Sequence, residues 1–304
     1  MEETLQQETK DFISLKVDFA FKHVMKNKKV LRGLLGTIFE INPEEITDIE
    51  FRDTSLAKSA SDGKQGILDV RVTVNHGKHI NIELQINYFQ YWKNRTMFYN
   101  FKMFIDQGRS GSKYKEFNPC IHISILDFNL FPDSEKFHSK IQLLDTENHQ
   151  LYTDKIAFHV IELKKVKSAL IEAQGNELYH WCMLINAKSR EEYEMLANKN
   201  EYLKEAVNEI QKINRDRALR EEYLKRKMAI MDEESQKDSY FEAGLEQGLE
   251  QGLEQGLEQG KIENAINAVK IGLTTEQIHA ITGLSKKRID DIRKKKLSSF
   301  NDLS

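Results

Sequence analysis

The sequence has only two cysteines and three prolines among its 304 residues. It also has no apolar run near the roughly 18 residues that a membrane-spanning helix needs. Cys120 and Cys182 form no CxxC pair, which argues against a disulfide framework or a structural zinc knuckle, so we expect two reduced core thiols. The polar N-terminus, MEETLQQETKD, lacks the apolar core of a signal peptide. We therefore predict a cytoplasmic protein with no membrane partner.

What the chain does have is charge: 31% of its residues are charged and 39% are hydrophobic, which favours a soluble protein rich in long helices. Its length allows two domains. The net charge of −3 is unevenly distributed. From Lys261 onward there are nine Lys and Arg against five Asp and Glu, so this tail carries +4 and the remaining chain −7. Any contact with nucleic acid that depends on charge alone is expected in the tail.

Hydrophobic periodicity predicts an alternation of helices and strands. Val17 to Glu40 has helical spacing with an interruption near Asn27, and polar residues 53–65 indicate a loop. We predict strands at Ile46–Phe51, Cys120–Leu126 and Ile156–Leu163, and a helix from Tyr88 to Asp106 buried through Tyr91, Trp92, Phe98, Tyr99, Phe101 and Phe104. We interpret these aromatic side chains as core rather than as a platform for stacked bases. This order suggests a mixed α/β sheet covered by helices on at least one face.

Residues 67–86 consist of two alternating runs around a short turn, which is typical of a β-hairpin. Leu68 and the valines that follow share one face of the first strand, and Ile80 to Ile86 share one face of the second. Both rows can face one core only if the loop has an odd number of residues. A three-residue loop, His76 to Lys78, pairs Asn75 with His79. It places Asp69 opposite Gln85, with Glu83 one diagonal step away.

Asp69, Glu83 and Gln85 therefore share the polar face of the predicted hairpin. Carboxylate and carbonyl oxygens are the ligands that Mg²⁺ prefers, so Asp69, Glu83 and the backbone carbonyl of Leu84 are candidate metal ligands. A bound metal can acidify water and neutralise charge on a phosphodiester. Polar residues on the solvent face of a hairpin are also common without any metal.

The chain resembles the recombination-promoting nuclease and transposase family of the PD-(D/E)XK superfamily. The segments that carry the resemblance are Asp18–Lys22, Leu68–Val70, Glu83–Gln85 and Ile123–Phe128. It covers roughly residues 12–165, and the repeats and helical tail that follow are also similar to family members. The resemblance implies a restriction-endonuclease-like α/β core and a Mg²⁺-dependent DNA endonuclease. It also implies Asp69 and Glu83 as metal ligands, with Asp18 at the acidic position of the first helix.

Gln85 departs from this pattern, because Lys commonly occupies that position. Lys can stabilise a phosphate or a hydroxide through its charge, whereas Gln is a neutral donor and acceptor that can orient the attacking water. Asp18 can alternatively be an exposed helix residue or an N-cap. Lys22 is positioned one turn later, either to bind phosphate or to pair with Asp18.

Two further pairs are weaker candidates for function. Arg95 and Tyr99 lie one turn apart on the predicted aromatic helix and could contact DNA phosphate, although such residues are more often structural. His76 and His79 flank the hairpin turn, but no Cys or third His lies nearby in sequence, which disfavours zinc.

Four GLEQ repeats and a fifth glycine at the same spacing occupy residues 244–260. A period of four advances the leucines by about 40° per repeat, so they spiral around a helix instead of forming a heptad seam. Each Gly in a helix costs about 1 kcal/mol relative to Ala, so five cost roughly 5 kcal/mol. We interpret the repeat as a helical linker that becomes stable when it packs against a partner.

The tail shows helical patterns at Ile262–Ile271, Thr275–Thr282 and Ser285–Lys296, with Thr274 or Thr275 and Ser285 as candidate N-caps and Gly272 and Gly283 at C-terminal positions. Their size matches a helix-turn-helix. The basic last helix can bind DNA phosphates, or it can be the solvated face of an oligomerisation module.

Together these features predict four regions: a nuclease-like domain over residues 1–190, a charged helical region over 191–243, the repeat linker over 244–260 and the tail over 261–304. The predicted function is DNA endonuclease activity with Mg²⁺. A catalytically weak or inactive nuclease-fold DNA-binding or regulatory protein is one alternative, and an oligomeric adaptor is another.

Overall fold

The structure of the protein, a computed structural model, describes residues 12–56, 66–67, 69–75, 77–108, 111, 113–168 and 176–301. Its internal contacts divide the chain into two compact units, one ending at Met228 and the other beginning at Ala229. Over the described residues, no helix is long and apolar enough to cross a membrane. The finer division of the chain into four regions stays a prediction.

A mixed sheet of six strands forms the centre of the first unit, in the order β1-β4-β5-β6-β8-β7. Its strands are β1 (Ile49–Phe51), β4 (Val70–Val74), β5 (Lys78–Gln85), β6 (Cys120–Leu126), β7 (His138–Leu144) and β8 (Leu151–Glu162). Ser55–Leu56, inside the loop predicted at 53–65, form β2 and pair with β3 (Gly66–Ile67), which follows that loop. Residues 57–65 lie outside the described residues. β5, β6 and β8 run parallel, and the other neighbours are antiparallel. The predicted mixed α/β sheet is confirmed.

The described helices are α1 (Asp18–Met25), α2 (Lys28–Phe39), α3 (Trp92–Ile105), α4 (Glu177–Asn186), α5 (Arg190–Ala197), α6 (Glu201–Arg215), α7 (Arg217–Lys270), α8 (Thr275–Thr282) and α9 (Lys286–Asn301). Helix α3 lies on one face of the sheet, where Tyr99 and Met103 pack against Cys120 and Ile156. On the other face, the ring of Phe39 at the end of α2 meets His159 of β8 edge-on. Helices therefore cover both faces, and the core lies between them and the sheet.

The predicted break in the first helix occurs at Asn27. Its side-chain oxygen accepts hydrogen bonds from the N–H groups of Lys29 at 2.9 Å and Val30 at 3.3 Å, so Asn27 is the N-cap of α2. The left-handed Glu40, with φ 57°, ends α2. Asn42 then caps a short 3₁₀ turn, which delays the strand predicted from Ile46 until Ile49.

The aromatic helix corrects one expectation. Trp92 and Tyr99 are buried, but Tyr91 is 60% exposed and Phe98 is 49% exposed. A helix presents only one face to a sheet, and the aromatic residues of this segment occupy more positions than that face contains. The sequence analysis did not predict β7. The side chains of this strand are mostly exposed, so no row of apolar residues marks it in the sequence.

The hairpin has the predicted parity and loop length but a different register. The structure pairs Thr73 with His79 and Val74 with Lys78, so the three-residue loop is 75–77 rather than 76–78. His76 lies outside the described residues, as does Leu68. Asn75 takes the left-handed conformation at φ 48°. Its side chain accepts from Thr47 N–H at 3.0 Å and donates to the Glu45 carbonyl at 2.8 Å, which holds it in the turn.

In the second unit, the GLEQ repeat is helical and lies within α7. The side chains of Leu245, Leu249, Leu253 and Leu257 are 54–66% exposed. Two of the three predicted tail helices are separate, α8 and α9, whereas the helix predicted at Ile262–Ile271 is the end of α7. They pack around a core of Ala265, Ala268, Ile278, Leu284 and Ile289. Thr274 caps α8 in a capping box with Gln277, and Gly283 ends it at φ 70°, as the sequence predicted.

Candidate active site

Two carboxylates meet at the base of the β4–β5 hairpin. The register that pairs Val70 with Ile82 places Asp69, the residue before β4, opposite Glu83. Asp69 Oδ2 accepts a hydrogen bond of 2.9 Å from the Leu84 N–H group. The change in register therefore moves the two predicted acids from a diagonal to a facing position, which is closer than the sequence indicated.

Glu83 is the buried member of this pair, with a side chain that is 3% exposed. Neither carboxylate oxygen has a hydrogen-bond partner within the part of the chain that the structure describes. Arg95 Nη2 lies 3.8 Å from Oε1, and His122 Nε2 lies 3.9 Å from Oε2. Burial raises the pKa of Glu83 to about 7; the Arg95 charge opposes this rise and the Asp69 charge adds to it.

Arg95 reaches this pocket from α3. Its guanidinium stacks over the rings of Trp92, at 5.7 Å, and Tyr99, at 5.1 Å. The Trp92 indole N–H donates to Ser124 Oγ at 3.1 Å, which anchors the start of α3 on β6. The Arg95 side chain remains 38% exposed, so it connects the buried Glu83 with solvent.

His122 is a site residue that the sequence analysis missed. The Asn81 amide N–H₂ donates to His122 Nδ1 over 3.0 Å, and burial lowers the pKa of His122 to about 3. The ring is therefore neutral and, with Nδ1 accepting, carries its proton on Nε2, which faces Glu83. Asn81 lies on the predicted polar face of the hairpin. The sequence could not predict that Asn81 pairs with His122, because no sequence feature sets the register between the parallel strands β5 and β6.

Lys22 brings Asp18 into the same cluster. Its ammonium Nζ lies 3.0 Å from Asp69 Oδ1 and 3.4 Å from Asp18 Oδ2. Burial alone would lower the pKa of Lys22, but Asp69 and Asp18 outweigh it, so this pKa is raised. Asp18 is the first residue of α1, and the N-cap position belongs to Val17. Of the two readings of Lys22, the structure shows the pair with Asp18 and adds a contact with Asp69, while phosphate binding by Lys22 stays a prediction.

Gln85 lies at the end of β5, and its side-chain amide donates to the Asn87 carbonyl at 2.9 Å. In the described residues, no hydrogen bond joins this side chain to Asp69 or Glu83. The Gln85 carbonyl accepts from the Asp127 N–H at 2.9 Å, and the Asp127 carboxylate pairs with Lys16 at 2.8 Å. A further acid, Asp127, with its own lysine therefore lies beside Gln85.

Within the described residues, no group of three or more His, Cys, Asp or Glu side chains is arranged to hold a metal ion. His79 faces Thr73 Oγ1 at 3.2 Å instead of another candidate ligand. Mg²⁺, however, commonly binds through one or two carboxylates and completes its shell with water and substrate phosphate. Two buried oxygens of Glu83 without hydrogen-bond partners, beside a second carboxylate, are a donor set of this type. The chemistry of these donors therefore fits a divalent cation that prefers oxygen ligands.

A mixed six-stranded sheet with helices on both faces is consistent with the α/β fold of PD-(D/E)XK nucleases. The family model for the PD-(D/E)XK nuclease family transposases matches residues 15–240, and the chain belongs to this family. No curated protein and no solved structure matches the chain. Family membership indicates a nuclease, a class that generally uses divalent metals and acts on DNA.

Proposed function

We propose that this protein is a Mg²⁺-dependent DNA endonuclease that hydrolyses phosphodiester bonds. The observation that carries the proposal is the buried Glu83 carboxylate, which faces Asp69 and has two oxygens without hydrogen-bond partners in the described residues. Asp69, Glu83 and the Leu84 carbonyl oxygen would hold the metal. When bound, Mg²⁺ supplies neutralisation of phosphate charge and acidification of water.

The protein's own cations support the same chemistry. Gln85 is neutral, so it cannot provide the charge that Lys commonly provides at this position. Each of the two acids has a cation next to it: Lys22 lies beside Asp69, and Arg95 lies beside Glu83. In this proposal they attract and orient the phosphate, Asp18 holds Lys22 in place, and the Gln85 amide orients the attacking water.

A plasmid-nicking assay tests this assignment. With Mg²⁺, the wild type should nick supercoiled DNA, and EDTA should stop the reaction. Asp69→Ala and Glu83→Ala should abolish nicking, while Asp154→Ala, an exposed acid on β8, should not change it. Undiminished nicking by either site variant would contradict the assignment.

A second candidate function is that of a nuclease-fold DNA-binding or regulatory protein with weak or no cleavage, which Gln85 favours. This alternative requires specific DNA binding by the wild type with no nicking at any Mg²⁺ concentration. The recombination, mobile-element or phage-defence setting and the cytoplasmic location belong to the proposal as implications of the family and of a DNA substrate.

The helical tail is the proposed accessory DNA-binding element. Deletion from Lys261 should leave nicking measurable but weaken DNA affinity, and the loss should be largest at low salt because phosphate contacts release counterions. Deletion from Gly244 should additionally reduce any self-association, because it removes the exposed leucine spiral. Binding isotherms across a salt series and sedimentation measure the two effects. An unchanged affinity and salt slope after the shorter deletion would favour the adaptor function.

A further inference from the structure

A polar cleft of about 490 Å³ lies on the first unit, between the β1–β4 edge of the sheet and the end of α3. Its cationic side is formed by Arg52 and Arg71, with His79 next to them. Asp106 and Gln107 close it from the end of α3. None of these residues takes part in the proposed cleavage chemistry, so the cleft is a separate feature of the same sheet face.

The cleft adjoins the candidate active site through β4. Asp69 and Arg71 are two residues apart, so their side chains leave the same face of the strand. Two residues of extended chain span about 7 Å, which is close to the distance between neighbouring phosphates of one DNA strand. A strand with one phosphate at Asp69 and Glu83 can therefore bring the next phosphate to Arg71.

Arg71 has unused hydrogen-bonding capacity. Its Nη1 donates to the Asp53 carbonyl at 3.3 Å, but its buried Nε has no hydrogen-bond partner among the described residues. Burial lowers the pKa of this guanidinium, the Asp106 charge opposes that effect and the nearby Arg52 charge adds to it. An anion beside Arg71 and Arg52 would offset the unfavourable effect of the Arg52 charge on the Arg71 guanidinium.

Arg52 is oriented by the same strands. Its N–H donates to the Arg71 carbonyl at 2.8 Å, and its side-chain Nε donates to Thr73 Oγ1 at 2.9 Å. The guanidinium also pairs with Glu50 and is 48% exposed. The neighbouring strands thus hold both arginines at the cleft before any ligand binds.

The acids of the cleft restrict the charge of the ligand. Asp53, Asp106 and Glu116 all line it, and Asp106 pairs with Lys102 at 3.4 Å. A nucleoside triphosphate or a terminal phosphate carries two or more negative charges and would be repelled by these acids. A phosphodiester carries a single negative charge, so the acids repel it less and two arginines suffice to hold it.

We propose that Arg71 and Arg52 form a subsite for a backbone phosphodiester of DNA next to the one at Asp69 and Glu83. The subsite rests on the proposed function, because it is defined relative to DNA in the candidate active site. Arg71 and Arg52 are positioning residues here: they contact the strand but not the bond that is cleaved.

The test is a DNA-binding scan in EDTA, so that no cleavage is required. Duplexes that carry a single neutral methylphosphonate at successive positions of one strand are titrated with wild type, Arg71→Gln, Arg71→Lys and Arg190→Gln, with fluorescence anisotropy as readout. Arg190 is an exposed residue of α5 paired with Glu194, so its replacement changes the net charge equally. Arg71→Lys keeps the charge and shows whether a loss in Arg71→Gln reflects misfolding.

We expect Arg71→Gln to bind unmodified DNA about 5- to 10-fold more weakly, with a salt slope reduced by about 1, the value for one lost phosphate contact. At one position, the methylphosphonate should weaken DNA binding by the wild type and by Arg190→Gln. The same methylphosphonate should not further weaken DNA binding by Arg71→Gln. Arg71→Lys should retain the wild-type salt slope. When Mg²⁺ is added, that position should be adjacent to the cleaved bond.

Identical interference patterns and salt slopes for wild type and Arg71→Gln would overturn the subsite. If the two proteins give identical patterns but the wild type still nicks DNA, only the subsite is wrong and the proposed function stands. If the wild type binds no DNA at all, the proposed function and the subsite fall together.

Discussion

Replacing Glu83 with Gln tests the electrostatics of the candidate active site. The side chain is 3% exposed, and burial raises its pKa from 4.5 to about 7. A carboxyl with a higher pKa in the folded state binds its proton more tightly when folded. The folded state therefore loses stability as pH rises from about 4.5 through 7. This pKa difference corresponds to about 3 kcal/mol, of which about 2.5 kcal/mol falls between pH 5 and pH 8.5.

Urea unfolding in EDTA, followed by tryptophan fluorescence, measures this effect. Both tryptophans, Trp92 and Trp181, are buried in the first unit and report its unfolding. Between pH 5 and pH 8.5, the free energy of unfolding of the wild type should fall by about 2.5 kcal/mol relative to Glu83→Gln. Mg²⁺ at pH 8.5 should stabilise the wild type and leave Glu83→Gln unchanged, because a ligand stabilises only the state that binds it.

The control is Glu147→Gln, which replaces an exposed acid and should change stability equally at both pH values. If Glu83→Gln and the wild type differ by the same amount at pH 5 and pH 8.5, the Glu83 carboxylate is not ionised at a buried position. That result would remove the main support for a metal ligand at Glu83.

Two further predictions concern stability. Lys165→Met should destabilise the first unit by about 3 to 5 kcal/mol in urea unfolding, because it leaves the fully buried Glu162 carboxylate without its 2.7 Å partner. The exposed Lys164→Met is the matched control, and equal stabilities of the two variants would contradict the buried pair. Gly252→Ala should stabilise the repeat helix by about 1 kcal/mol, because a Cβ there meets nothing within 4 Å. Hydrogen exchange of the repeat amides should slow by about fivefold, and unchanged exchange would contradict a helical repeat.

Local chemistry explains which elements could be predicted. The alternation of apolar residues along 67–86 determines hairpin parity, since a shift by one residue would expose every core side chain. Asn27, Thr274 and Gly283 mark helix ends because their preferences for capping act within one turn. The motif residues Asp69 and Glu83 were found for the same reason, since they lie on the polar face of one hairpin.

Contacts distant in sequence explain the remainder of the candidate site. Asn75 lies in the turn because its side-chain amide forms hydrogen bonds with the backbone of residues 45 and 47. Both residues lie outside the hairpin, so the hairpin sequence does not reveal these hydrogen bonds. Arg95 lies on a helix and His122 lies on the neighbouring parallel strand β6. The register between β5 and β6 is not determined by residues close in sequence.

The sequence by itself thus determined the mixed α/β class, the hairpin with its two acids and the helix ends, because each depends on periodicity or on groups a few residues apart. Only the tertiary structure decided that Asp69 faces Glu83, that Glu83 is buried beside Arg95 and His122, and that Lys22 bridges two acids. These features depend on register and on packing between distant segments. Burial of Glu83, and with it the raised pKa, exists only when α3 covers the sheet.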